Sequence, residues 1–104
     1  MQDRQLSKEM ELRKIRMHIL ESVERHPRGL PVYLQTTFEI RRVLIYIELR
    51  RLISERVLMS EGNTKAKAYY IRDHVRAREI LSRLRSVVAR EQESITRAAL
   101  WRRR

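Results

Sequence analysis

The chain contains no cysteine, which removes disulfides, thiolate metal ligands and cysteine nucleophiles together and fits a reducing compartment. Two glycines and two prolines in 104 residues leave little material for irregular structure, so long helices are expected to dominate. The same scarcity rules out a glycine-rich phosphate loop. The longest apolar run, Val43 to Ile47, is far shorter than the roughly 18 residues needed to cross a bilayer. No secretory leader pattern is visible, and the expectation is a soluble cytoplasmic protein with no membrane partner. Acidic residues are the minority, 13 Asp and Glu against 24 Lys and Arg, for a formal charge of +11. Such an excess points to a polyanionic partner.

What is present is one domain's length of chain, with 42% hydrophobic residues, enough for a small core. Lysine occurs only at Lys8, Lys14, Lys65 and Lys67, so 20 of the 24 basic residues are arginine. Arginine is a planar five-donor fork suited to bidentate contact with phosphate or guanine; a GC-rich genome would also favour it over lysine. Up to Asp73 there are 15 basic and 10 acidic residues, and beyond it 9 and 3, so the final segment is the more basic.

Met10, Leu12, Ile15, Ile19, Leu20 and Val23 recur near helical spacing among charged neighbours, which predicts an amphipathic helix from about Leu6 to His26. His26, Pro27, Arg28 and Gly29 break it. Pro31 fits the first turn of a short second helix carrying Val32, Leu34 and Tyr33 inward. Thr36 and Glu39 have capping-box spacing, so a third helix is expected to begin near Thr37 and end about Glu55. Val57 to Met59, the turn cluster Glu61 to Thr64 and the run Ala68 to Ile71 read as a hairpin, with Tyr69 and Tyr70 facing opposite ways. From His74 to about Trp101, Ile80 or Leu81, Leu84, Val88, Glu91, Ile95 and Ala98 step by three and four, the pattern of a long helix with a seam. At about 1.5 Å per residue it outreaches a small core, so part of the seam needs another surface.

This order resembles a winged helix-turn-helix domain with an added dimerisation helix. The resemblance is carried by Leu49 to Leu58, similar to the end of a third helix entering the first wing strand in bacterial winged-helix regulators. The wing tip Gly62 to Lys67 and the return strand Ala68 to Ile71 follow, and the added helix looks like that of small PadR-type dimers. A glycine commonly stands in that family where this chain has Arg56. The resemblance implies a mainly α fold with a small β-hairpin, a winged-helix domain over 1–73, and a dimerisation helix with a basic tail over 74–104. It also implies a third helix in the major groove of duplex DNA and a wing on the backbone.

The matching DNA-binding positions are Arg41, Arg42, Arg50 and Arg51 on the third helix and Lys65 and Lys67 on the wing, with Thr36, Thr37 and Asn63 adding neutral phosphate bonds. Lys65 and Lys67 point to one face if their segment is extended. The dimer seam is assigned to Leu81, Leu84, Val88 and Ile95, with Trp101 as an anchor or a loosely held tail residue.

One pattern runs against readout by the third helix. Phe38, Ile45, Leu49 and Leu52 form the expected core stripe, yet Ile40, Val43, Leu44 and Ile47 make a second apolar stripe across from it. Three explanations stand: cover by the first or last helix, a protein interface, or a strand over 43–49. Catalysis is not expected. His18, His26 and His74 are widely separated, the serines lack an activating signature, and the carboxylates sit as helical partners of arginine. No cofactor, metal or small-molecule ligand is indicated. The expectation is a homodimeric, nucleoid-associated transcriptional regulator of bacterial, phage or plasmid type. The alternatives are a winged-helix protein-interaction or assembly module and, more remotely, a single-strand or RNA binder using the tyrosines.

Overall fold

Ile15 and Ile19 of the first helix, α1 (Gln2–Ser22), are buried one turn apart, and Val23 just beyond its end continues the same stripe. The computed structural model describes residues 2–63 and 67–102, with side chains over 8–63 and 67–97. After α1 come α2 (Leu30–Phe38), α3 (Arg42–Ser54), β1 (Leu58–Glu61), β2 (Ala68–Ile71) and α4 (His74–Arg102). The fold is mainly α with a small antiparallel β-hairpin and a long last helix. None of the described helices is long and apolar enough to cross a membrane.

The first helix starts at Gln2 and ends at Ser22 rather than running from about Leu6 to His26, with a turn over 23–25 closing it before proline is reached. Pro27 to Gly29 forms the link to α2 and also joins the hairpin. Arg28 bridges Ala68, and the Tyr69 amide donates to the Pro27 carbonyl at 2.8 Å. Gly29 then takes a left-handed conformation, φ 70°, which a side chain would resist. Pro31 occupies the first turn of α2, and Leu30 and Leu34 enter the core with Tyr33 packed at its edge. Val32, expected inward, is exposed, because it falls on the opposite side of the helix from Leu30 and Leu34.

The capping box expected at Thr36 and Glu39 does not form. Thr36 lies in the last turn of α2, and its hydroxyl donates backwards to the carbonyls of Val32 (2.9 Å) and Tyr33 (3.3 Å). Glu39 closes that helix in the left-handed region at φ 55°, a position that usually falls to glycine. The third helix therefore starts at Arg42 rather than near Thr37, and Phe38 belongs to α2 rather than to the core stripe of α3. Phe38 is partly exposed and stacks on His18 with ring centroids 4.0 Å apart.

Segment 43–49 is helical, not a strand. Ile45, Leu49 and Leu52 are buried as expected, and Leu44 leaves the outer stripe to join them. Glu48, also on this inner side, is fully buried and paired with Arg16 of α1 through Nε to Oε2 at 2.8 Å and Nη2 to Oε1 at 3.4 Å. That two-pronged bond fixes how α3 is rotated against α1.

The exit from α3 has the geometry of a Schellman turn. The Arg56 amide donates to the Ile53 carbonyl at 3.0 Å and the Val57 amide to the Leu52 carbonyl at 2.9 Å. Val57 and Leu52 are both fully buried. Arg56 occupies the left-handed position at φ 62°. The hairpin pairs Leu58 with Ile71 and Ser60 with Tyr69, and Tyr69 is buried while Tyr70 faces out. Asp73 caps α4 by accepting the Arg76 amide at 3.1 Å.

Candidate nucleic-acid interface

The outer side of α3, the start of α2 and the start of β2 enclose an open groove of about 410 Å³. Its floor is Leu49, Ile53 and Tyr69, and its walls carry Arg42, Tyr46, Arg50 and Lys67. Each wall residue has a local cause. Arg42 opens α3 and lies with its guanidinium carbon 5.6 Å from the Tyr46 ring centroid, one helical turn on, a cation-π distance that holds the side chain over the groove. Arg50 lies opposite the buried Leu52 side of the helix. Lys67 stands immediately before β2, whose first residue is clamped against Arg28.

No carboxylate lines this groove. Among the described residues, Arg42, Arg50 and Lys67 also have no acidic partner within salt-bridge distance. Burial, with the neighbouring Tyr46 adding to it, pushes the Tyr69 phenol above its ordinary pKa, so this floor residue stays neutral at physiological pH. The groove is therefore cationic, partly apolar and open.

The remaining expected positions are dispersed. Arg41 precedes α3 with an extended backbone and an exposed side chain. Arg51 lies on another side of α3, 3.5 Å from Glu55, and lines a separate cleft with Arg13 and Arg16. Thr36 and Thr37 are exposed at the end of α2, and the Thr36 hydroxyl is already bonded to its own helix. Asn63 is exposed beside the hairpin turn. Lys65 and the Trp101 side chain lie outside the described residues.

The expected seam of α4 divides along its length. Leu84 and Val88 are buried within the single chain, and Leu81 packs against the same core. Ile95, farther along the same face, is 57% exposed. Two α4 arginines serve the fold itself: Arg76 Nη1 donates to the Glu55 carbonyl at 2.8 Å, and Arg85 pairs with Glu21 at 3.2 Å.

Tyr46, Tyr69 and the Gly29 turn were not expected to share the groove with the cations. The spacing of Arg42 and Tyr46 was a visible signal for one of these contacts; the joining of Pro27 to Tyr69 had none in the local sequence. Among the described residues, no three His, Asp or Glu side chains gather as a metal cluster. Compared with protein-family models and with curated proteins, the chain matches none.

Proposed function

We propose that the chain is a winged helix-turn-helix protein that binds duplex DNA as a homodimer and regulates transcription, in a bacterial, phage or plasmid setting and in the nucleoid-bearing cytoplasm. The observation that carries this reading is the groove in which Arg42, Arg50 and Lys67 converge without a carboxylate. A polyanion answers that arrangement, and the rod-like α3 beside it has the diameter a major groove admits. The three residues 39–41 between α2 and α3 are the turn length of a helix-turn-helix unit. A hairpin following α3 supplies the wing.

In this reading Arg42 and Arg50 approach base edges or phosphates, and Lys67, with Lys65 beside it in sequence, tracks the backbone. Arg41, Thr37 and Asn63 add phosphate bonds at the margins. Arg51 contributes less, because Glu55 already holds it. Dimerisation falls to the far half of α4, with Ile95 and Trp101.

Exposed Val43 and Ile47 favour a second reading, a winged-helix module that docks on an acidic protein. Electrophoretic shift with random-sequence duplex separates the two. Retardation at low salt is expected, and a dimer making roughly 6 to 10 phosphate contacts loses about 10³ to 10⁵ in affinity between 50 and 200 mM salt. Arg42→Ala with Arg50→Ala should abolish most of the shift, and Lys65→Ala with Lys67→Ala should flatten the salt slope. No retardation of any duplex at low salt would leave the protein-docking module as the reading.

A further inference from the structure

The face of α3 turned away from the core is neither apolar throughout nor polar throughout. Val43, Ile47 and Arg50, at steps of four and three, form one ridge along it, and Tyr46 and Arg42 flank that ridge. Val43 is 61% and Ile47 49% exposed, although Leu44 and Ile45 beside Val43 are buried. Two exposed β-branched residues contribute nothing to this core, and their χ1 stiffness gives them a fixed shape to present.

Two side chains make a small strip against the roughly 800 Å² that a stable protein interface takes from each partner, and arginine and lysine border it on the groove side. Duplex DNA offers what both features require, namely anionic strands on either side and one apolar group on the major-groove floor, the thymine C5-methyl. Residues four apart on a helix are separated by about 6 Å along its axis, far enough for the two side chains to meet different bases.

Resting on the DNA-binding reading above, we infer that Val43 and Ile47 read two thymine methyl groups in the major groove, with Arg50 on the same ridge and Arg42 beside it placed for a neighbouring guanine or phosphate. The target class is therefore a duplex whose half-site carries thymine at two contacted positions.

The test begins with a duplex selected by the full chain from a random library, synthesised once with thymine and once with deoxyuridine, which lacks only the methyl. For the unaltered protein, uracil should weaken binding about fourfold for each contacted methyl, the effect of exposing one methylene-sized group. Val43→Ala and Ile47→Ala keep the exposed helix intact. Each should bind the thymine duplex more weakly and lose discrimination at one position. Equal affinity of the unaltered protein for both duplexes overturns this inference while leaving DNA binding standing. Selection of sites without thymine at the contacted positions does the same. Failure to bind any duplex overturns both readings together. Sedimentation of the DNA-free protein supplies the remaining outcome: if Val43→Ser with Ile47→Ser converts dimers to monomers, the ridge is a contact between copies and the inference falls.

Discussion

Glu48 is a carboxylate with no exposed surface, held by one arginine that is itself mostly covered. Removing only the arginine strands a buried charge, which costs about 3 kcal/mol. Arg16→Met should lower unfolding stability by that order in urea titrations, and Arg16→Met with Glu48→Met should recover most of the loss, since a matched apolar pair leaves nothing unsatisfied. His18 presents the opposite case, an imidazole whose buried Nδ1 has no hydrogen-bond partner. Burial holds its pKa below the ordinary 6.5, with Glu21 opposing and Lys14 reinforcing the shift. The unfolded chain therefore binds this proton more tightly than the folded one. The stability His18 contributes is complete above about pH 6.5 and is lost as the pH falls through that value toward the folded pKa. Urea midpoints at about pH 7.5 and pH 5.5 should differ less in His18→Leu than in the unaltered chain; equal differences would remove His18 from the pH dependence.

The corner between α3 and β1 shows what happens at the scale of an element when the favoured residue is missing. Its hydrogen bonds demand a left-handed residue, and Arg56 adopts that conformation at φ 62°. A Cβ there costs about 1 kcal/mol, so Arg56→Gly should raise stability by up to that amount while Arg56→Ala leaves it nearly unchanged, as read from thermal or urea unfolding. The element boundaries were legible in the sequence where a breaker and a period change coincided, at Gly29 before α2 and again at Glu61 to Asn63, whereas the end of α1 at Ser22 carries no breaker. The boundary between α2 and α3 was not legible, because no glycine or proline marks it. Thr36 and Glu39 spell a capping box whether the hydroxyl bonds forward or backward, and packing of Leu34 and Leu44 against one core decides the direction. Of the site, Arg42 and Arg50 stood among the positions that the winged-helix resemblance implied, and Lys67 also followed from the alternation of 65–68. Their common groove was not legible, because it depends on β2 being joined to residues 27 and 28, some forty positions away in sequence.

At the scale of the whole molecule, α4 accounts for the elongation, 55 Å along one axis against 27 Å across. Its near half belongs to the core through Ala77 and Leu84. Asp replacing Leu84 or Val88 would bury a charge inside one chain and destabilise the fold, whatever the state of association. Ile95 offers the cleaner probe. In the proposed dimer, Ile95→Asp should give monomers in sedimentation with unchanged helical circular dichroism, because that side chain is exposed within the single chain. Dimers that survive the change would move the contact elsewhere.

The 2.8 Å bond from the Tyr69 amide to the Pro27 carbonyl has a consequence for recognition. It welds the root of the hairpin to the segment that launches α2, while the Arg16 and Glu48 prongs set the roll of α3 from behind. Both banks of the cationic channel are therefore tied to the core by bonds formed within the single chain, before any partner arrives. The loss of freedom on association is confined to the long side chains along its rim, and the molecule meets its partner as a preset template.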